Sequence, residues 1–311
     1  MQQMGYFTHQ DCRKHDMGAD HPECPARLDA IEDQLLTSGV VDWLDRHDAP
    51  LVSQEDVLQA HTLAHWRALE RTNHEAQFTK YVALDSDTCM NQHSWSAALH
   101  AAGAAVAAVD AVWDGLNHQA FCAVRPPGHH ATRDNAMGFC LLNNVAIAAF
   151  HALARGAKRV VIVDFDVHHG NGTEDIVAGD PRILMLGFYQ HPFYPEGGAK
   201  SDAPNLLNLP VSAYTRGEAI RELIETYWWP RLEEFDPDLI LVSAGFDAHR
   251  EDDLGQLGLV EADYAWITRA LVRTRAGQAG RIVSCLEGGY NLSALARSVV
   301  AHIKELAGLT A

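Results

Sequence analysis

Apolar residues along the chain fall into two recurring patterns. Short, near-continuous runs of Val, Ile and Leu stand at Val160–Asp164, Ile183–Gly187, Leu239–Ser243 and Ile282–Leu286, with a fifth at Ala120–Val124. Runs of that length without polar alternation predict parallel strands buried on both faces. Segments of helical period lie between them: Pro25–Leu36, stopped by Gly39, the Ala-rich Ser94–Trp113, Asn143–Leu153, Arg216–Phe235 and Glu261–Arg275. Such alternation predicts a three-layer α/β sandwich about a parallel sheet. No repeat, low-complexity tract or Gly/Ser/Pro-rich linker marks a boundary, so residues 1–311 read as one domain.

Composition changes this picture little. The 311 residues, 47% hydrophobic and 21% charged, suit a globular protein with a large core. The start has no apolar signal region, and no apolar run reaches the roughly 20 residues that span a bilayer, so a cytoplasmic protein is expected. A net charge of −17 argues against nucleic acid as a direct partner and favours cationic ligands. Cys12, Cys24, Cys89, Cys122, Cys140 and Cys285 form no CxxC pair, which predicts reduced thiols and not disulfides or a structural zinc cluster. Cys140 stands out only for its neighbours.

Ligands of parallel sheets sit beyond the carboxyl ends of the strands, and polar, Gly-rich clusters follow four of the predicted strands. In Asp164-Phe165-Asp166-Val167-His168 the polar residues alternate, so continued strand geometry puts them on one face. Two carboxylates and an imidazole crowded there call for a cation, and Asp247 follows another buried strand. Asp166, His168 and Asp247 supply three N/O ligands and leave a fourth position open, the layout of a catalytic zinc site. Asp164 is expected to orient a histidine; a DxD pair alone would more often mean helix capping or backbone-amide binding, and it is His168 and Asp247 that turn the reading to a metal. The rigid loop Arg125-Pro126-Pro127-Gly128 delivers His129 and His130, able to deprotonate water and protonate a leaving amine. Tyr290, hinged on Gly288 and Gly289, suits donation to an oxyanion, although GGY alone also describes an ordinary turn.

Taken together, RPPGHHA, GFCLLNN, VDFDVHHGNGT, SAGFDAHRED and LEGGYNL resemble the zinc-dependent histone deacetylases. The likeness is greatest to class II and bacterial histone-deacetylase-like amidohydrolases, with acetylpolyamine amidohydrolases among the relatives, and runs from about Tyr6 to about Leu295. It implies a single deacetylase-like catalytic domain with the arginase/deacetylase fold, a central, mostly parallel eight-stranded sheet flanked by helices. It implies one zinc ion on Asp166, His168 and Asp247. His130, bonded to Asn171, would be the principal base and acid, with His129 and Asp164 as an electrostatic pair and Tyr290 as oxyanion donor. Potassium would bind carbonyls near Asp164, Asp166, His168 and Phe188. A tunnel for the acylated chain would be walled by Phe139 and the aromatic of the segment His191–Pro195, where Tyr194 replaces the Phe of many relatives, and the Gly138 carbonyl would accept the substrate amide. Two-manganese arginases share the fold but carry extra carboxylates where this chain has Gly170 and His249.

Two substrates remain in contention, acyl-lysine in a protein or peptide and an acetylated polyamine. Some polyamine-selective relatives carry a glutamate seven residues after the metal aspartate, where this chain has Leu254. An apolar residue there would strand a secondary ammonium and favours acyl-lysine, although Glu251, Asp252 and Asp253 are near. A catalytically silent acyl-lysine binder would be expected to lack His130 or Tyr290, and both are present. The loops Arg13–Cys24 and Lys80–Gln92 are expected at the rim, with Asp85 or Asp87 meeting a peptide, or at an interface between copies of the chain.

Overall fold

Val160–Asp164, Leu239–Ala244 and Ile282–Leu286 are buried along their whole length, and each is flanked by strands on both sides. They form the middle of an eight-stranded sheet in the computed structural model, which describes residues 3–196 and 202–310. The strands are β1 (Met4–Thr8), β2 (Leu44–Asp48), β3 (Ala120–Cys122), β4 (Val160–Asp164), β5 (Ile183–Gln190), β6 (Leu206–Val211), β7 (Leu239–Ala244) and β8 (Ile282–Leu286). Their order across the sheet is β2-β1-β3-β8-β7-β4-β5-β6, and every pairing is parallel. Val82–Ala83 and Cys89–Met90 form a separate antiparallel hairpin, and Met137 and Cys140 form an isolated antiparallel bridge.

Helices flank this sheet in two groups. Leu292–Leu306 packs on both Ala26–Thr37 and Glu261–Val272, while Ser94–Trp113 packs on Asn144–Ala154 and on the strands. Ser94–Trp113 is long and apolar enough to cross a membrane, yet its alanines are buried against the sheet. It approaches its neighbours closely: a methyl group on Gly103 would lie 1.9 Å from the Pro50 carbonyl oxygen. Ala26–Thr37 begins after Pro25 and ends at Gly39, whose φ of 69° favours glycine.

The topology positions the chemistry. In register, Cys122 pairs with Cys285, Leu286 with Ala244, and Ser243 with Asp164. The carboxyl ends of β3, β8, β7 and β4 are therefore nearly level and adjacent. Their following loops are the four polar clusters of the sequence, scattered from Arg125 to Leu292 and gathered by strand order onto one edge.

Three strands escape the buried-run pattern. β1 (MGYFT) is buried but contains no Val, Ile or Leu, β2 (LDRHD) alternates in burial at the sheet edge, and β6 (LLNLPV) lies half-buried at the other edge with a proline. The expected helix at 216–235 is present but interrupted by a π-turn at Ile224–Trp228. The helices Gln54–Ala60, Leu63–Glu75, Asn171–Val177 and Leu292–Leu306 lie outside the expected set.

Candidate active site

Asp166, on the residue pair beyond β4, and Asp247, beyond β7, have fully buried side chains that reach toward His168. His168 Nδ1 stands 3.0 Å from Asp166 Oδ1 and 3.2 Å from Asp247 Oδ2. The remaining oxygens are tied down: Asp166 Oδ2 accepts the Gly288 amide at 2.9 Å, and Asp247 Oδ1 accepts the Val167 amide at 2.9 Å. One ligand atom from each residue lies within 4.8 Å of the others. Gly245 and Gly288 permit this crowding, since a methyl group on either would sit 2.0 Å from a carboxylate oxygen of the set.

Like charges are crowded in this cluster. Burial and the Asp166 charge push the Asp247 carboxyl up to about 7. Burial opposes charge on His168, but its bonds to Asp166 and Asp247 outweigh that and raise its pKa to about 10. A buried pair of carboxylates that recruits a positive charge so strongly, with one imidazole and anchored outer oxygens, fits a divalent ion of the zinc type.

The histidine pair lies beside this set, the His130 ring 5.8 Å from that of His168 and tilted 67° to it. His129 Nδ1 lies 3.1 Å from Asp164 Oδ2, and its Nε2 is 3.8 Å from Asp166 Oδ2. His130 Nδ1 lies 2.7 Å from Asn171 Oδ1, an acceptor, so Nδ1 carries the proton and Nε2 offers its lone pair. Burial, reinforced by His129 and His168, holds the His130 pKa well below the usual histidine range. For His129 burial is outweighed by Asp166 and Asp164, which raise it. Asp164 and Asp166 also accept backbone amides, from Asp166 and His168 respectively, so the amide-binding reading of DxD holds alongside the metal one. They do not cap the next helix, whose N-cap is Gly170. A side chain at position 170 would meet Asp164 Oδ2 at 2.2 Å, leaving no room for the second carboxylate of a two-metal site.

Glu287 is the main residue the sequence left without a role. Fully buried, it accepts the Gly128 amide at 2.6 Å, the His129 amide at 3.1 Å and the Ser243 hydroxyl at 3.1 Å. It therefore fixes the loop that carries both histidines. Tyr290 is held by Asp252, which accepts the Tyr290 amide at 2.6 Å and the Asn291 amide at 2.9 Å. Buried Arg27 donates to the Gly289 carbonyl at 2.7 Å and pairs with Glu23, which also pairs with Arg125. Glu287 alone had a signal, a charge between an apolar strand and two glycines; Glu23, Arg27 and Asp252 stand among other charged residues.

A cavity of about 250 Å³ leads to the site. Asp87, His130, Gly138, Phe139, His168, Phe193, Tyr194, Asp253, Leu254 and Tyr290 line it, so all four expected wall residues are present. Phe193, unassigned from sequence, stacks on His168 with centroids 5.3 Å apart, and Tyr194 meets His130 edge-on at 5.1 Å. Gly138 and Phe139 both have positive φ, and a methyl group on Gly138 would lie 2.5 Å from the His130 ring. Cys140 is buried behind Gly138, and burial pushes its thiol up, away from reactivity. Of the two rim acids, Asp85 caps its own turn while Asp87 reaches the cavity.

A histone deacetylase domain profile matches residues 21–306. The uncharacterized protein slr0245 of Synechocystis sp. is 41% identical over 302 residues, covering 94% of this chain and 96% of that protein. Histone deacetylase 14, chloroplastic, of Arabidopsis thaliana is 37% identical over 309 residues, 93% of this chain and 73% of its own length. The polyamine deacetylase HDAC10 of Mus musculus is 36% identical, and the chain spans 45% of it. The crystal structure of the HDA15 HD domain superposes with a TM-score of 0.91 at 35% identity, over 98% of this chain and 91% of that one.

Proposed function

The chain belongs to the histone deacetylase family and is a deacetylase, a hydrolase; from that premise we propose that it removes acetyl or short acyl groups from lysine side chains of proteins or peptides. The observation that carries the chemistry is the 2.7 Å bond from His130 to Asn171, which aims a basic nitrogen into a cavity beside Asp166, His168 and Asp247. Those three residues would hold one zinc ion, which when bound polarises the acyl carbonyl and lowers the pKa of water. His130 takes the proton of the attacking water at Nε2 and returns it to the leaving amine. His129, braced by Asp164, supplies positive charge beside it. Tyr290 directs its hydroxyl toward the developing oxyanion, and the Gly138 carbonyl receives the substrate N–H. We further propose that backbone carbonyls of Asp164, Asp166, His168 and Phe188 hold potassium; Asp164 and Gly187 are register partners there.

Phe139, Phe193, Tyr194 and Leu254 give the cavity apolar walls suited to a methylene chain. One observation favours a second reading, an acetylated polyamine: Asp87 and Asp253 line the same cavity and can meet an additional ammonium. Hydrolysis of a fluorogenic acetyl-lysine peptide tests the first reading, with acetylputrescine and acetylspermidine in parallel. Activity should vanish on chelation and return with zinc; activity indifferent to chelation rejects the metal mechanism. Exclusive turnover of the polyamines rejects the lysine reading.

A further inference from the structure

Met137-Gly138-Phe139-Cys140 makes a tight turn at the tunnel wall. The Met137 amide donates to the Cys140 carbonyl at 3.1 Å, and the Cys140 amide to the Met137 carbonyl at 2.9 Å. Both central residues have positive φ, 55° at Gly138 and 68° at Phe139, which makes this a type I′ turn. Glycine suits the first of these positions, but a bulky aromatic seldom takes the second. Flipping the central peptide would convert I′ to II′, which needs positive φ at the glycine alone. The pair Gly-Phe by itself favours II′, so a contact from outside the turn must hold it in I′.

That contact is Thr88. Buried at the end of the hairpin loop, its Oγ accepts the Phe139 amide at 2.9 Å and donates its own proton to Asp87 Oδ1 at 2.9 Å. Thr88 is fixed in turn, because Asp85 Oδ1 accepts its amide at 2.7 Å and its carbonyl accepts the Leu84 amide at 2.8 Å. The Phe139 N–H and the Gly138 C=O belong to one planar trans peptide and point in opposite directions, so a bond that fixes the first also aims the second. We propose that Thr88 is a positioning residue for the acyl amide: it locks the Gly138–Phe139 peptide so that the Gly138 carbonyl faces the substrate N–H. This rests on the acyl-lysine reading, in which that carbonyl receives the amide.

The same bonds strengthen the acceptor. The Asp87 carboxylate draws on the Thr88 proton, which makes Oγ a better acceptor for the Phe139 N–H, and a bonded N–H leaves its own carbonyl oxygen more basic. The Gly138 carbonyl accepts the Cys140 thiol at 3.3 Å, a weak donor that leaves it a lone pair for an amide. Gly138 and Phe139 both line the cavity. In the flipped turn the Phe139 N–H would stand where the Gly138 carbonyl stands, and donor would meet donor.

A peptide carrying acetyl-lysine and its ester isostere, with oxygen in place of the side-chain nitrogen, test the assignment, because the ester has no N–H to offer Gly138. Thr88→Val, nearly isosteric, should lower kcat/KM for the amide about tenfold and leave that for the ester within about twofold, with zinc content unchanged. Thr88→Ser keeps the hydroxyl and should recover most of the loss. Equal losses on both peptides would mean that Thr88 only keeps the wall in shape and would overturn the proposal, as would unchanged amide turnover or no recovery by serine. Should Thr88→Val not fold, Thr88→Ala carries the same comparison. A natural chain inactive on both peptides rejects the lysine reading instead. The crystal structure of the Thr88 variant then still decides the turn: negative φ at Phe139 is expected, and positive φ there shows that Thr88 does not hold it.

Discussion

At the floor of the tunnel, Asp166, Asp247 and Glu287 each accept a backbone amide from a different loop. At the mouth, Asp85 accepts amides of its own turn and Asp253 stands exposed. The floor is thus over-determined by bonds that tie distant segments together, while the mouth can change without disturbing them. Chemistry fixed in the first region and selectivity adjustable in the second is the lesson of the contrast.

The contrast breaks if floor substitutions prove mild. Asp247→Ala should abolish metal binding at the Asp166, His168 and Asp247 centre and reduce turnover to background, read by elemental analysis and peptide hydrolysis, whereas Asp253→Asn should leave metal content unchanged. Glu287→Ala strands two amides and a hydroxyl in the interior and should cost about 3–5 kcal/mol in denaturant unfolding. Glu287→Gln should recover part of that. Tyr290→Phe should lower kcat by about 10²–10³ with zinc content intact; equal losses in both would contradict the oxyanion role.

Neutral histidines extend the rigid interior. His61 bridges the Thr132 carbonyl and the Asn143 amide, and His302 sits between Thr268 and Ser284. Burial holds both pKa values down to about 3, below the unfolded value near 6.5. The unfolded chain therefore binds these protons first, and their stability contribution, complete above about pH 6.5, declines as pH falls toward 3. Each should cost about 2 kcal/mol between pH 7 and 5, and His302→Gln should flatten the slope of unfolding free energy against pH. The smallest effect belongs to the mouth: Leu254→Glu should shift the kcat/KM ratio toward acetylspermidine by about tenfold. No shift would place selectivity on Asp87 and Asp253 instead.

How much of this was legible in sequence follows the same division. β4, β7 and β8 announced themselves because burial on both faces forces unbroken apolar runs, whereas β2 and β6 at the edges carry Asp45, Arg46 and Pro210. Asp166, His168 and Asp247 were legible because acids rarely end buried strands without a reason. Glu287 was not, since its partners lie more than 40 residues away and only sheet order brings them near. Phe193 stayed hidden because a loop has no periodicity to say that both of two adjacent aromatics turn inward.

The strand that carries Glu287 and Tyr290 is the last of the eight in sequence, yet it lies between β3 and β7. β8 therefore joins β2-β1-β3 to β7-β4-β5-β6. Asp166, His168 and Asp247 precede it in the chain, while the Gly288 amide that anchors Asp166 and the Glu287 carboxylate that holds the His129 amide follow it. Unpairing this one strand would divide the sheet and unseat Asp166 and the His129 loop together, so the sheet and the active centre share a single clasp.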